Sequence, residues 1–419
     1  MGVSSSSVFD GKKILEFGDW IGTEVTGKIN FEEGSTFGTQ PGDRALFMCN
    51  LARLRQIPLR ELYLQDTDGL AWHFVDRLDK ALVKYKNHHN LVDYTDMLEM
   101  FVRSGRKMDL DVVIVDEAQD LSPLQWRVID KISQNARRVV VAGDDDQAIY
   151  KWAGADPLYM GRLSGTRRVL SQSYRVPQKV QRVANKIIEQ VEGTVKKSWN
   201  PRPIDGRIDR VSKIEQIDFT ADDILVLVRN FSYLSPIKAL LRNKGIPYSY
   251  RGTPAIPDEI VRVVSDWEKL RRGEVLDVDN VRRVCSYLGV NMPVDSRKLF
   301  NAPKELGMAE LVSDYGLKSD EIWHQALEKL PMQDKMFMLA ARRNGESINR
   351  EPRIRLSTIH GSKGGQSDHV VLLTDMAPRT KKEQVKNPDD EARVWYVGVT
   401  RTKERLTIVD PHSSNFFNL

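Results

Sequence analysis

Two short, unbroken apolar runs constrain this chain more than any other feature: Val112-Val-Ile-Val115 and Val139-Val-Val-Ala142, each followed closely by acidic residues. Apolar residues in continuous runs, rather than alternating with polar ones, fit strands of a parallel sheet covered on both faces. Parallel strands need crossovers, and Leu124 to Ile132 has the pattern of the connecting helix. Ile224 to Val228, Ile354 to Thr358, Val370 to Leu373 and Leu406 to Val409 predict further strands. Gln178 to Val191 and Pro236 to Asn243 predict helices between them. The first hundred residues lack such runs. Helical periodicity over Ala45 to Gln56, Leu70 to Tyr85 and Asp93 to Val102 makes that region helical. Residues 256–349 are likewise helical and charged, so a second α/β unit is expected to be split by a helical insertion. Lys381 to Asp390 reads as a solvated loop.

Composition narrows the classes. A hydrophobic fraction of 41% excludes wholesale disorder. A net charge of +5 permits nucleic-acid binding without requiring it, because the placement of the charge decides. The two cysteines, Cys49 and Cys285, are far apart, which excludes a disulfide framework and a CxxC zinc site and points to a reducing, cytoplasmic setting. No stretch approaches the roughly 20 apolar residues of a membrane helix. The N-terminus has no signal-peptide pattern, and Gly2 with its nearby serines reads as a frayed terminus rather than a myristoylation site.

The chemistry gathers at the strand ends. Asp116-Glu117-Ala118-Gln119-Asp120 directly follows the first strand, at the sheet edge where α/β proteins bind ligands. Mg²⁺ takes one or two carboxylates plus phosphate oxygens and waters, a role that suits Asp116. Glu117 is then free to orient and deprotonate an attacking water. Acidic residues also suit a helix N-terminus, which is the plain structural reading of the pair. The second strand leads into Gly143-Asp-Asp-Asp-Gln-Ala-Ile-Tyr150 and Lys151-Trp-Ala-Gly-Ala-Asp156. Three adjacent aspartates need a cation or solvent to compensate them. Gln147 can hydrogen-bond a phosphate oxygen or a water. Tyr150 and Trp152 flank Lys151, a combination that can stack unpaired bases at about 1–3 kcal/mol per base, or else pack as a hairpin.

DEAQD and GDDDQAIYKWAGA together resemble motifs II and III of the UvrD/Rep-like superfamily 1 helicases. Later segments agree in order: Leu170-Ser-Gln-Ser-Tyr-Arg175 resembles motif IV, Ser357-Thr-Ile-His-Gly-Ser-Lys-Gly364 motif V, and Glu391-Ala-Arg-Val-Trp-Tyr-Val-Gly-Val-Thr-Arg401 motif VI. The resemblance covers about residues 90–410. It implies an ATP-dependent helicase that uses Mg²⁺ and acts on single-stranded DNA and duplex junctions in repair or replication, with 3′-to-5′ movement the usual direction. It implies that Tyr174 stacks on the adenine and that Arg175 and Arg401 reach the γ-phosphate. It implies that Thr358 and His360 touch the DNA backbone or relay between the two sites, and that Lys363 and Gly364 sit at the nucleotide edge. Gln366 stands where the family usually carries an acid for the sugar, and it brings no charge.

One family element has no match. The GxxxxGK[ST] loop cradles phosphates with backbone N–H groups and offers its hydroxyl to the metal. The nearest approach, Gly22-Thr-Glu-Val-Thr-Gly-Lys28-Ile29, has no hydroxyl at Ile29 and follows no buried strand. The expectation is a truncated or split polypeptide that needs a separate chain carrying this Walker A segment. In its absence, apolar faces of Val112 to Val115 and Val139 to Val141 should lose neighbours.

The architecture expected is α/β, with two RecA-like parallel-sheet domains, the first N-terminally incomplete, and helical accessory subdomains. The expected boundaries are 1–90 helical, 91–165 first RecA-like domain, 166–255 with 350–419 the second, and 256–349 the helical insertion, with ATP between the RecA-like domains. Two alternatives remain: a non-hydrolysing DNA-binding remnant or regulatory subunit, and a metal-dependent nuclease using the acidic clusters. The nuclease would leave the arginines and the Lys-Gly pair idle.

Overall fold

The computed structural model describes residues 4–27, 40–192, 197–290 and 293–419. Gly2, Lys28 and Ile29, which enter the readings above, lie outside the described residues. The fold is mixed α/β, and among the described residues the largest sheet has seven strands, mainly parallel. The chain divides into two compact units, one of Met1–Arg210, Leu227–Phe231 and Thr358–Leu419, the other of Val211–Val226 and Ser232–Ser357.

The first unit opens with helices α1 (Gly11–Ile21), α2 (Pro41–Arg55), α3 (Leu59–Gln65), α4 (Trp72–His89) and α5 (Tyr94–Ser104). Their apolar faces meet in one core that includes Phe17, Met48, Leu51, Leu78 and Tyr85. α1 ends at Gly22 in the left-handed conformation (φ 62°, ψ 38°), a helix stop. Thr26 and Gly27 donate their backbone N–H groups to Asp43 at 2.9 and 2.8 Å. The described part of the Gly22 segment is therefore a helix end tied to α2. α5 starts with a reciprocal cap between Asp93 and Asp96. Both carboxylates also bind Lys86 (2.6 and 2.7 Å) and Arg53 (2.8 and 2.6 Å).

Strands β1 (Val112–Val115) and β2 (Arg138–Val141) pair in parallel, with α6 (Pro123–Ser133) between them in sequence. Val113 and Val115 pack with Ala118 and Trp126 of the same unit. The other face is open: Ile114 is 72% exposed, and Val112, Val139 and Val140 are exposed too. Coverage on both faces, expected from the apolar runs, therefore fails for this two-stranded sheet.

α7 (Pro157–Arg162), β3 (Gln172–Pro177), α8 (Gln178–Ile188), β4 (Asn200–Arg202) and β5 (Arg207–Val211) follow. In the second unit, β6 (Ile224–Val228, whose last two residues belong to the first unit) precedes α9 (Leu234–Asn243), β7 (Tyr248–Tyr250) and β8 (Thr253–Pro254). Next come α10 (Asp258–Arg271), β9 (Leu276–Asp277), α11 (Val278–Ser286), α12 (Ser296–Phe300), β10 (Glu305–Leu306), α13 (Met308–Ser313), α14 (Trp323–Ala326) and α15 (Met332–Arg343). The helical, charged stretch thus holds only two-residue strands among its described residues. Ile354 to Leu356 of β11 (Ile354–Thr358) pair in parallel with β7. Back in the first unit, β12 (Ser367–Leu373) and β13 (Thr402–Val409) pair in parallel.

α16 (Pro378–Lys386) and the start of α17 (Pro388–Thr400) occupy the stretch read as a solvated loop. Two features outweigh its charge. A proline opens each helix at a position that lacks an intrahelical N–H bond anyway. Buried Thr380 also accepts from the Asn230 side-chain amide at 3.0 Å, anchoring the first turn. From Glu391 to Thr400 every residue of α17 is buried.

Candidate functional site

Every sequence-predicted site residue belongs to the first unit. β1 delivers Asp116 and Glu117 to its C-terminal end, and β2 delivers Gly143 and Asp144 beside them. Glu117 sits at φ 50°, ψ 39°, a left-handed conformation that costs a non-glycine residue energy. Asp116 is exposed; one of its oxygens accepts the Glu117 N–H at 2.9 Å, leaving the other open among the described residues.

A fully buried amide clips the two strand ends together. Gln119 donates through Nε2 to Glu117 Oε2 at 2.5 Å and accepts through Oε1 from the Asp144 N–H at 2.9 Å. Gly143 is required by this approach. A Cβ there would stand 2.6 Å from Gln119 Oε1 and 2.8 Å from Met160 Sδ. Sequence reasoning gave neither residue a role; the signal was their place inside DEAQD and GDDDQ.

Lys363 reaches both strand-end loops. Its Nζ binds Asp120 at 2.6 and 2.7 Å, donates to the Gln147 carbonyl at 2.7 Å, and lies 3.9 Å from Glu117. Burial pushes the Asp120 carboxyl above its ordinary pKa despite the opposing pull of Lys363. Gly364 follows at φ 80°, and Gln366 is exposed.

Arg401, at the end of α17, is 1% exposed. It donates to Gln147 Oε1 at 2.8 Å, to the Gly365 carbonyl at 3.2 Å and to the Val397 carbonyl at 3.0 Å. Burial first, then the nearby Arg175 cation, pushes its pKa down to about 9, so it remains charged at neutral pH. Arg175 is also lowered by burial, and its buried Nε has no hydrogen-bond partner among the described residues. Glu117 and Asp144 lie within electrostatic reach of both arginines. Two desolvated guanidinium groups facing carboxylates, with a donor unsatisfied, favour an incoming oxyanion that carries its own divalent cation. ATP with Mg²⁺ fits these residues. Tyr174, 86% exposed beside Arg175, offers a ring to a base.

Tyr150 and Trp152 follow Gln147 in the same stretch of chain. Tyr150 donates its hydroxyl to the His360 carbonyl at 3.1 Å, with Lys363 Nζ 5.2 Å from its ring centre. Trp152 is half-buried and stacks on Phe47, with ring centres 6.2 Å apart. Thr358 and His360 are both buried. The Thr358 hydroxyl accepts the Gly361 N–H at 3.1 Å. Burial, with Arg229 and Lys363 nearby, drives the His360 pKa well below its ordinary value, so the ring is neutral.

The three aspartates find their cation in Lys197, a residue no motif singled out. α17 is held from beneath by a buried bidentate pair, Arg229 with Glu391 at 2.8 and 2.9 Å, and Glu391 also accepts from Trp395 Nε1 at 2.8 Å.

Comparison with known proteins identifies the family. Residues 47–166 match the UvrD/REP helicase N-terminal domain and residues 320–412 the UvrD-like helicase C-terminal domain, together just over half of the chain. The ATP-dependent DNA helicase UvrD2 of Mycobacterium tuberculosis H37Rv is 26% identical over 341 residues, covering 70% of this chain and 46% of that protein. The putative ATP-dependent DNA helicase YjcD of Bacillus subtilis is 25% identical over 167 residues (38% and 21%), and DNA helicase II of Escherichia coli K12 is 33% identical over 93 residues (21% and 13%). The matched stretch spans less than half of each relative's length. Among the described residues no helix is long and apolar enough to cross a membrane. With its strand-end carboxylates, buried arginines and both domain matches in one chain, the protein belongs to the UvrD/Rep-like family of superfamily 1 DNA helicases.

Proposed function

We propose that this polypeptide is the ATP-dependent motor part of a cytoplasmic helicase or translocase that moves on single-stranded DNA and at duplex junctions. The observation that carries the reading is the meeting of Glu117 and Asp144 with Arg175 and Arg401 around Gln147. In this reading Asp116 holds Mg²⁺, which neutralises phosphate charge, and Glu117 takes the proton of the attacking water. Arg175 and Arg401 stabilise the charge that develops on the transferred phosphoryl group, and Gln147 orients Arg401 and the water. Tyr174 stacks on the adenine, Lys363 and Gly364 border the nucleotide, and Gln366 hydrogen-bonds the sugar. Tyr150 and Trp152 take unpaired bases. Thr358 and His360 act as relays, since both are buried and the His360 carbonyl already holds Tyr150. The four-part domain division given above belongs to the same proposal. So does a phosphate-binding loop supplied by a separate segment, because the sequence contains no GxxxxGK[ST].

ATP hydrolysis stimulated by single-stranded DNA tests the reading, measured for the chain alone and mixed with a polypeptide carrying that loop. Turnover is expected in the mixture, and Glu117→Gln should lower kcat by about 10²–10⁴-fold with ATP still bound. Turnover by the chain alone would remove the separate loop from the proposal. DNA binding without turnover in either case would favour the non-hydrolysing remnant. A nuclease is disfavoured by Lys197, which fills the acidic cluster such an enzyme would need.

A further inference from the structure

Lys197 lies 53 residues from Asp144 along the chain, outside every motif. Its half-buried Nζ donates to Asp144 Oδ1 at 2.5 Å and to Asp145 Oδ1, and lies 3.1 Å from Asp146 Oδ2. Carboxylate oxygens of these three consecutive residues lie within 4.8 Å of one another. Without a cation their mutual repulsion would spread the turn. Burial alone would lower the lysine's pKa, but the carboxylates outweigh it and hold the ammonium above its ordinary value, so it stays charged.

The consequence runs through Asp144. With Oδ1 on Lys197, its Oδ2 accepts from Gln147 Nε2 at 2.5 Å. An amide held by its nitrogen has its oxygen at the other end, and Gln147 Oε1 accepts from Arg401 Nη2 at 2.8 Å. The flipped amide would set donor against donor at the guanidinium and acceptor against acceptor at Asp144. The charge on Lys197 therefore bears on which way Gln147 points and on where Arg401 rests.

We propose that Lys197 is a positioning residue for phosphate recognition: its ammonium fixes Asp144, Asp144 orients Gln147, and Gln147 presents the Arg401 guanidinium. This rests on the phosphoryl-transfer reading above, and it adds to that reading a residue that touches neither nucleotide nor metal. The same ammonium closes the aspartate cluster to divalent ions, leaving Asp116 to take the metal.

The test uses the full chain labelled with ¹⁵N-glutamine, with the Gln147 side-chain amide assigned through Q147A. In the wild type that amide should exchange slowly with solvent. K197M should speed exchange by about tenfold or more, the scale of losing one charge-assisted hydrogen bond, and K197R should restore protection. K197Q, neutral but polar, repeats the measurement if K197M does not fold. Calorimetric titration, with the polypeptide that carries the phosphate-binding loop present, then compares Mg·ATP with Mg·ADP. K197M should lose about tenfold for ATP and under about twofold for ADP, since only ATP reaches Arg401. Unchanged Gln147 protection in the neutral variants overturns the proposal, and so does an equal loss for both nucleotides. A wild type that binds neither nucleotide sinks the phosphoryl-transfer reading, while amide exchange still decides the positioning.

Discussion

Gly143 shows how one position can be fixed by what lies beside it. Gln119 cannot retreat from an added Cβ, because it is fully buried and bonded at both ends of its amide. Met160 can yield, since thioether side chains are adaptable. Gly143→Ala is therefore expected to destabilise the chain by about 1–3 kcal/mol, the range for overpacking and for losing a buried hydrogen bond. Urea unfolding checks this, and an unchanged midpoint would show that Gln119 is not the clip between the strand ends. The arginines at the centre of the site obey a related economy. Arg175 and Arg401 each lose solvation, and the Arg175 cation further disfavours the charge on Arg401. An oxyanion between them relieves both costs at once, so their discomfort without ligand is part of their selectivity.

At the scale of elements, β1 and β2 set the first α/β layer, yet one face of the pair stays bare. Ile114→Thr should change unfolding free energy by less than about 1 kcal/mol, because its side chain is already mostly in solvent. The same substitution should lower light scattering on concentration, since an exposed apolar strand face invites association. A large loss of stability would mean that this face is covered in solution. The strands themselves were legible because continuous apolar runs have few alternative explanations. Their covering was not, because a four-residue run looks the same whether one face or two are packed. α16 was hidden for the opposite reason: lysines and acids dominate its composition, while the contact that fixes it, Asn230 with Thr380, spans 150 residues. Lys197 was hidden likewise, since a lone lysine gives no sign of the distant aspartates it will meet.

For the molecule as a whole, acid should be more damaging than mild base. His360 is neutral in the folded chain, with its pKa depressed below the ordinary 6.5 by burial and by Arg229 and Lys363. Below that value the unfolded chain takes up a proton that the folded chain refuses. The stability this group contributes is complete above about pH 6.5 and is lost as pH falls toward the depressed value, by up to about 1.4 kcal/mol per pH unit. Thermal melts between pH 7 and 5 should show the wild type falling more steeply than His360→Gln, and parallel slopes would assign the acid limb to other groups. The grouping of the candidate site residues was largely readable in advance because they cluster in short motifs: Glu117, Gln147, Lys363 and Arg401 do come together. The partners around them were harder to read: Lys197 and Arg229 lie outside every motif, while Gln119 and Glu391 lie inside motifs II and VI with nothing in the sequence to name what they bind.

The hydroxyl of Tyr150 and the carbonyl of Gln147 are gripped by one short segment, through His360 and Lys363. Only two residues separate these attachment points. In the proposed motor, a shift of this segment would therefore carry the Gln147 and Tyr150 attachment points together, by nearly the same distance. A machine built this way would cover distance by the number of its strokes, each no longer than the local rearrangement that drives it.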